Sequence, residues 1–320
     1  MIVAWWHPVD VDNEWLGSQC RPLRRGSFQA MATPPTTARR TTARVRAYLD
    51  LPHPWAVLIV MVATAVLGLL ATGGHPGGKR YALLLVAMLG GQIAIGTINE
   101  YRDRDLDAIA KPGKPIPAGW VQPREALLIS GIALAVMFVA GWVLGGLSLL
   151  LVCIGTGSGL LYDLWLKRTV WSWLPYLIAL PLVPIWVWIS LARFQPLLLL
   201  LYPLGALMTL AVHLAQSLPD AESDRAVGSL GLAARLGRRR GLAVCWGTAV
   251  LAAIAVPLVA VWLGGRLTPA LIAGIAVFLA AGYSMDRYRT APVWIVRHLF
   301  KIMATGAVIL AVGWILAISA

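Results

Sequence analysis

The sequence predicts an all-α integral membrane protein with nine transmembrane helices. Its 320 residues are 59% hydrophobic and only 13% charged, and the mean hydropathy is +0.74. Soluble domains contain about 25% charged residues, so an ordinary soluble fold is excluded, as are collagen-like and disordered chains. The strands of a membrane barrel would alternate polar and apolar residues over about 10 positions. The apolar runs here are hydrophobic on all sides, so helices are the expected spanning elements.

Nine apolar segments approach the roughly 20 residues that a helix needs to cross a bilayer. The fourth segment is short, and the start of this helix is the least clearly marked. Polar connections separate the segments from one another. In chain order the predicted spans cover residues 54–71, 81–98, 126–145, 147–162, 173–192, 197–218, 242–263, 268–285 and 299–319.

The distribution of Lys and Arg predicts the orientation of these spans. The N-terminal tail, the connections after spans 2, 4, 6 and 8, and the first turn of span 9 hold 23 of the 27 basic residues. The positive-inside rule then places the N-terminus in the cytoplasm and the C-terminus outside. The formal net charge of +13 is explained by this topology and by contact with anionic lipid, so no nucleic-acid partner is expected.

Residues 1–50 are expected to form a cytoplasmic tail, partly disordered, ahead of a transmembrane domain over residues 51–320. The tail is polar and lacks an apolar segment of signal-peptide length. Within it, residues 43–51 are typical of a short surface helix, and Met31 is a candidate alternative start. The three cysteines lie far apart and predict neither a disulfide framework nor a zinc site.

Acidic residues are concentrated at two places in the chain. Ten Asp and Glu residues follow residue 50, all on the predicted cytoplasmic side, and seven of them fall within residues 99–107 and 216–224. We call these segments the first and second acidic motifs; they align at an offset of 117 residues. The aligned pairs are Asn99 with Gln216, Asp103 with Asp220, Asp105 with Glu222, and Asp107 with Asp224.

The alignment indicates a weak parallel repeat in which four helices separate two equivalent helix ends. Residues at i, i+4 and i+8 drift by only about 40° per step on a helix with 3.6 residues per turn. Asn99, Asp103 and Asp107 therefore share one helix face, and their partners share the corresponding face of the second helix. Pro219 is expected to start or bend the second segment locally.

These oxygen-rich faces predict a magnesium site. Mg²⁺ prefers carboxylates combined with substrate phosphates over a cage built by protein alone, and both motifs lack the His and Cys ligands typical of zinc. A diphosphate that bridges two Mg²⁺-loaded helix ends is the expected partner. The competing interpretation is a solvated membrane edge, since like-charge repulsion of roughly 0.2–0.5 kcal/mol per pair is easily tolerated. Duplication of the acids, with an amide at the head of each motif, favours the metal site.

Basic and aromatic residues flank the same predicted site. Tyr162, Lys167 and Arg168 follow the fourth span, where lysine supplies a point charge and arginine a bidentate fork for phosphate oxygens. Positive-inside charge with an interfacial aromatic belt is the rival explanation. Lys114 lies in a proline-rich segment that either folds over the site or forms a rigid turn. His213, one turn before Gln216, is more typical of a packed residue.

Two other classes of membrane protein compete with this interpretation. A cation-coupled transporter would use the acids as an ion site, but it would place charged groups near the bilayer midplane. Nearly all the acids here lie at one edge. A phosphatidyl-transferring enzyme would show a longer Asp-Gly and Ala-Arg signature, which the sequence lacks.

The motifs resemble those of the UbiA superfamily of intramembrane prenyltransferases. Residues 99–107 with 114–119 are similar to its NDxxDxxxD and RPIPxG signatures, and residues 220–224 are similar to its DxxxD motif. Tyr162 and Lys167 resemble the tyrosine and lysine of its loop between helices 4 and 5. The likeness covers about residues 45–320. Its departures are Glu100 where Asp is usual, Lys114 where Arg is usual, and Gln216 where Asn or Asp is common.

The resemblance implies a ring of helices around a central chamber that opens sideways to lipid. Its activity would be Mg²⁺-dependent transfer of an isoprenyl group from an isoprenyl diphosphate to an aromatic or other lipophilic acceptor, at the cytoplasmic face of the cell membrane. Lys167, Tyr162 and Lys114 are the expected catalytic residues, and Lys167 and Arg168 would bind the diphosphate. The expected metal ligands are Asn99, Asp103, Asp107, Asp220 and Asp224.

Overall fold

The regular structure of the described chain is entirely helical. The computed structural model describes residues 37–226, 228 and 231–318. Short 3₁₀ turns cover Leu166–Arg168, Pro196–Leu200 and Leu218–Asp220. The α-helices are α1 (Thr37–Asp50), α2 (Pro54–Ala71), α3 (Gly78–Ala110), α4 (Pro123–Leu144), α5 (Gly146–Leu164), α6 (Leu174–Leu191), α7 (Leu201–Ser217), α8 (Ala221–Ala226), α9 (Leu232–Trp262), α10 (Leu267–Thr290) and α11 (Pro292–Ile318).

Nine helical segments of the described chain are long and apolar enough to span a membrane, and they confirm the nine predicted spans. Large apolar side chains such as Trp55, Leu128 and Trp262 point outward and are well exposed. A soluble protein would rarely tolerate so much exposed apolar surface, whereas lipid accepts it. The protein is therefore an integral membrane protein.

The spanning helices follow one another around a ring. Each packs on the next in chain order from α2 to α7, and then through α9, α10 and α11. The α2 helix also packs on α6, and α11 also packs on α7. The ring predicted for the fold is thus present, and α2 and α11 both line an apolar cavity inside it.

Close packing by small residues holds α3 between its neighbours. A Cβ atom added at Gly90 would lie 2.6 Å from the carbonyl oxygen of Ala133 on α4. One added at Gly91 would lie 2.6 Å from Oγ1 of Thr156 on α5. Because the two glycines have no side chain, the helices can approach closely, as is common in membranes. The polar end of α3 is thereby fixed against two helices.

Several helices extend beyond the predicted spans, two of them by ten or more residues. The α3 helix continues to Ala110, because the charged residues after position 98 remain helical beyond the apolar run. The α9 helix begins at Leu232, ten residues before the apolar segment, and contains a kink at Gly237, where φ is 71°. Both extensions lie at the same end of the bundle and contribute residues to one polar cavity.

The helix α1 covers this end of the bundle. It is longer than the surface helix expected at 43–51, and the remainder of the predicted tail, residues 1–36, lies outside the described residues. Ala47 and Leu51 pack with Ile116 and Val121 of the segment between α3 and α4. Arg44 adds an ion pair to Glu125 at 3.1 Å, at the start of α4. The connection between α3 and α4 is thereby held against the bundle.

Candidate active site

The first acidic motif lies on the last turns of α3. Asn99 and Asp107 are buried, and the carboxylate of Asp103 is mostly covered. All three side chains line one polar cavity of about 70 Å³. Because the helix is continuous through the motif, residues on successive turns face the same space. We call this space the polar cavity.

The second acidic motif reaches the polar cavity by a different backbone path. The α7 helix ends at Ser217, and a 3₁₀ turn with Pro219 near its start leads into α8. Proline has no backbone N–H, so it is well placed where regular helical hydrogen bonding is interrupted. The α-helix is interrupted at Pro219 by this turn, and Gln216, Asp220 and Asp224 still line the polar cavity.

One carboxylate of the second motif, that of Asp224, is perturbed by its surroundings. Burial, together with the charge of Asp220, raises the pKa of the Asp224 carboxyl above its usual value. Like charges held close together disfavour their own ionised forms, and a bound cation relieves that repulsion. The electrostatics of this side of the polar cavity therefore favour a positively charged occupant.

Lys167 and Arg168 converge on Asp103 from the turn that follows α5. Nζ of Lys167 lies 2.5 Å from Oδ2 of Asp103, and Nη2 of Arg168 lies 3.5 Å from Oδ1. Burial lowers the pKa of Lys167, but the Asp103 carboxylate raises this pKa well above its ordinary range. Lys167 lines the polar cavity, while the Arg168 side chain is about half exposed. A permanently charged lysine therefore faces the cavity.

Lys114 bridges two acids of the first motif. Its Nζ lies 2.5 Å from Oε1 of Glu100 and 2.8 Å from Oδ2 of Asp107. Burial lowers the pKa of Lys114, but these two carboxylates raise it above its usual value. Glu100 is only 1% exposed, and its Oε1 also lies 3.0 Å from Nε2 of the buried His53. Glu100 thus ties the segment between α3 and α4 to the start of α2, and Lys114 lines the polar cavity.

Asp163 is a contact of the site that the sequence did not single out. It lies in the last turn of α5, and its Oδ1 accepts a hydrogen bond from Nδ2 of Asn99 at 2.8 Å. The sequence predicted only that Asp163 lies on the same side of the membrane as the two motifs. The 64 residues that separate the pair carry no periodic signal linking them.

An aromatic and polar cluster underlies the cavity near α7. Tyr162 and Ser172 line the polar cavity with Gln216, and the hydroxyl of Tyr176 donates a hydrogen bond to Oε1 of Gln216. His213 is fully buried against the edges of Tyr162 and Tyr176, and its Nε2 lies 3.1 Å from Oγ of Ser172. His213 is a packed residue, as its helical position suggested. Tyr176 and Ser172 had no distinguishing sequence pattern.

The remaining aligned acids point away from the cavity. The Asp105 side chain is 83% exposed, and that of Glu222 is 71% exposed and ion-pairs with Arg238 at 3.1 Å. Each of these two acids lies two residues away from a cavity-facing acid on either side in the sequence. That spacing places its side chain on the opposite face of the helix. The solvated-edge interpretation therefore describes this aligned pair, and not its neighbours.

The donor set around the polar cavity fits Mg²⁺ together with a phosphorylated substrate. Six carboxylate or amide side chains from the two motifs surround it, and Mg²⁺ favours such oxygen ligands. Within the described residues, no three His, Cys, Asp or Glu side chains are grouped closely enough to hold a metal ion alone. Mg²⁺ usually keeps waters and takes substrate phosphate oxygens to complete its coordination, which suits ligands divided between two facing motifs.

An apolar cavity of about 140 Å³ lies within the ring. Its walls are aliphatic side chains of α2, α6, α7 and α11, with Thr209 and Trp314 among the few residues that carry a polar atom. Val212 lines this cavity, and Gln216, one turn further along α7, lines the polar cavity. A charged pocket and an apolar chamber therefore lie next to each other along one helix.

Sequence comparison relates the chain to enzymes that transfer prenyl groups. The profile of the UbiA prenyltransferase family matches residues 58–303. The chain is 31% identical over 221 residues to a digeranylgeranylglyceryl phosphate synthase of Natronomonas pharaonis, a match covering 67% of this chain and 78% of that protein. It is 39% identical over 105 residues to a protoheme IX farnesyltransferase of Kineococcus radiotolerans, covering 30% of each chain.

Solved structures share the fold. A digeranylgeranylglyceryl phosphate synthase superposes with a TM-score of 0.65 at 18% identity, covering 86% of this chain and 98% of that chain. A UbiA homologue from Archaeoglobus fulgidus bound to GPP and Mg²⁺ superposes with a TM-score of 0.64 at 17% identity, covering 85% and 100%. Identities this low establish the common architecture alone.

The fold and these matches define an intramembrane transferase of prenyl groups. The chain belongs to the UbiA prenyltransferase family. It is therefore an enzyme, and the alternative of a cation-coupled transporter is set aside.

Proposed function

We propose that this enzyme transfers an isoprenyl group from an isoprenyl diphosphate to an aromatic or other lipophilic acceptor inside the membrane, in a Mg²⁺-dependent reaction. The observation that carries the proposal is the polar cavity, where both acidic motifs meet Lys114 and Lys167, directly beside an apolar cavity. An isoprenyl diphosphate has a charged head and an apolar tail that match these two spaces. The homologue bound to GPP and Mg²⁺ supports the same choice of ligands.

Each side of the polar cavity would bind one part of the charged head. Mg²⁺, when bound, would neutralise the negative charge that grows on a departing diphosphate. Lys167 would contact the diphosphate oxygens directly, and Arg168 would reinforce it from the edge. Lys114 would close the site from the segment between α3 and α4. The proposed metal ligands are Asn99, Asp103, Asp107, Asp220 and Asp224.

The apolar side would protect the reactive carbon. Loss of diphosphate leaves an allylic cation, which water would quench. Aliphatic walls exclude water from the isoprenyl chain, and the ring of Tyr162 stabilises nearby positive charge through its π face. The acceptor would then attack the carbon within a dry chamber.

We place the site at the cytoplasmic face of the cell membrane, with the N-terminus on that side. The distribution of Lys and Arg supports this orientation. The amphipathic α1 would lie at the membrane surface, because Val45 and Leu49 are exposed on a helix that also carries arginines. In this arrangement residues 51–320 form the catalytic unit and residues 1–50 precede it.

The direct test is transfer of radiolabelled isoprenyl groups by the purified, membrane-reconstituted protein. Donors of increasing chain length would be combined with a panel of phenolic, quinone-precursor, porphyrin and glycerol phosphate acceptors. We expect labelled product with Mg²⁺, loss of product with EDTA, and recovery after excess Mg²⁺ is added. Transfer at an unchanged rate in EDTA would contradict the proposed dependence on Mg²⁺. No transfer from any of the donors would contradict the proposed activity.

A further inference from the structure

The buried carboxylate of Asp163 needs an explanation beyond packing. Asp163 is only 6% exposed, and a buried charge is costly unless it is paired or hydrogen-bonded. Its Oδ1 accepts from Asn99, whereas its Oδ2 has no hydrogen-bond partner among the described atoms. A carboxylate retained with one oxygen unsatisfied is more typical of a functional site than of a stabilising contact.

The contact with Asp163 decides which end of the Asn99 amide faces the polar cavity. A side-chain amide has one donor end and one acceptor end. Because a carboxylate oxygen accepts, it engages the nitrogen of Asn99 and leaves Oδ1 for another partner. Only the oxygen end of an amide is a ligand for Mg²⁺. Asn99 lines the polar cavity, so the hydrogen bond fixes the orientation that metal binding needs.

The aligned amide in the second motif is held by its other end. The Tyr176 hydroxyl donates to Oε1 of Gln216, which leaves the N–H groups of Gln216 as the end not engaged by Tyr176. The two motifs thus align in sequence, while their amides are anchored through opposite atoms. This difference makes Asn99 the better candidate for a metal ligand and Gln216 the better donor to a diphosphate oxygen.

We propose that Asp163 is a positioning residue that accepts a hydrogen bond from Asn99 Nδ2 and thereby holds Asn99 Oδ1 toward the Mg²⁺ site. The inference rests on the proposed function, since it requires Asn99 to bind metal. A rival role exists, because Asp163 lies four residues before Lys167 and its charge also contributes to the raised pKa of that lysine. Variants must therefore separate the hydrogen-bond acceptor from the charge.

Three changes make that separation in the full-length protein. Asp163→Leu removes the acceptor and the charge, whereas Asp163→Asn removes the charge but keeps an acceptor oxygen. The double variant with both Asn99→Asp and Asp163→Asn, which we call the exchange, reverses the direction of the hydrogen bond and preserves the total charge. Asp105→Asn is a matched control, because that acid is exposed.

Binding of Mn²⁺, a paramagnetic substitute for Mg²⁺, gives a readout independent of turnover. It would be titrated by electron paramagnetic resonance in the presence of farnesyl thiodiphosphate, with melting temperatures to verify folding. We expect Asp163→Leu to weaken Mn²⁺ binding by about 10–100-fold, the usual cost of losing a partner of a metal ligand. Asp163→Asn should stay close to the native protein. Asn99→Asp alone should bind weakly, since two carboxylates then meet, and the exchange should restore binding.

The outcomes separate this inference from the function on which it rests. If the native protein binds no Mn²⁺ with the thiodiphosphate, the proposed function fails first. If the native protein binds but Asp163→Asn is as weak as Asp163→Leu, charge is what matters and the positioning role is overturned. If Asp163→Leu does not fold, the comparison of Asn99→Asp with the exchange decides, and no recovery in the exchange overturns the proposal.

Discussion

The first and second acidic motifs align at four polar positions, yet the protein organises them differently. In the first motif, on the continuous α3, Lys167 pairs with Asp103 and Lys114 pairs with Asp107. In the second, where a 3₁₀ turn joins α7 to α8, the pKa of Asp224 is raised by burial and by Asp220. The first motif is thus stabilised by cations of the protein itself, whereas repulsion persists within the second.

We infer from this difference that the two motifs offer similar oxygen ligands in different electrostatic surroundings. Asp103 of the first motif contributes to folding through its ion pair and to catalysis through its proposed metal. Asp224 of the second motif contributes to the proposed metal at some cost to folding, because its pKa is raised. Substitutions of Asp103 and of Asp224 should therefore have similar effects on activity but different effects on stability.

The largest expected effect comes from removing one carboxylate from each motif. Asp103→Asn and Asp224→Asn should each reduce kcat by about 10²-fold or more, because stabilisation of the departing diphosphate is lost. Asp103→Asn should also lower the melting temperature, since Lys167 loses its charged partner. Asp224→Asn should leave it unchanged or raise it, because a group whose folded pKa is raised is destabilising when ionised at neutral pH. Transfer assays and thermal unfolding measure both. Loss of stability of equal size in both variants would contradict the contrast.

The next effect distinguishes the two cations that contact Asp103. Lys167→Met should reduce kcat by on the order of 10²-fold, because Lys167 faces the polar cavity and charged donors stabilise a developing anion. Arg168→Met should cost much less, since Arg168 is about half exposed and lies farther from the carboxylate. Steady-state kinetics with a saturating acceptor measures this. A loss of kcat in Arg168→Met as large as that in Lys167→Met would show that both residues bind the diphosphate equally.

A smaller effect concerns the Glu100 and Lys114 pair, where both residues differ from the family pattern. Glu100→Asp shortens the acid, and Lys114→Arg lengthens the base, so each single change should disturb the 2.5 Å contact. The double variant should recover kcat/KM, with a coupling of about 0.5–3 kcal/mol, as is usual for residues in contact. A double-mutant cycle measures the coupling. Strictly additive losses would show that the two departures are independent.

The smallest effect is expected at the exposed aligned pair. Asp105→Asn and Glu222→Gln should change the free energy of unfolding by no more than about 0.5 kcal/mol, as is usual for surface substitutions. Transfer rates should stay at the native level, because both side chains point away from the polar cavity. The same kinetic and unfolding assays check this. A marked loss of activity in either variant would contradict this prediction and show that the exposed acid takes part in the site.

The parts of the fold and site that follow from local periodicity were predictable. Apolar runs near the length of a bilayer marked all nine spans, and the spacing of four residues placed Asn99, Asp103 and Asp107 on one face. Pro219 marked the 3₁₀ turn in the second motif, because a missing N–H has a local effect. Such signals are contained within a few neighbouring residues.

The parts that depend on distant contacts were not predictable. Asp163 reaches Asn99, and Tyr176 reaches Gln216, only after helices α3, α5, α6 and α7 have packed. Glu100 was recognised as a departure from the family pattern, but its pairing with Lys114 and its contact with His53 required the folded segment between α3 and α4. No periodicity encodes those partners, since tertiary packing selects them.

The central claim is that both acidic motifs bind metal ions together on one diphosphate. It is tested most directly by the number of Mn²⁺ ions bound per chain in the presence of farnesyl thiodiphosphate, measured by electron paramagnetic resonance. The account predicts two ions in the native protein and fewer in both Asp103→Asn and Asp224→Asn. A native number of ions in either variant would show that its motif is not part of the metal site and would contradict the claim.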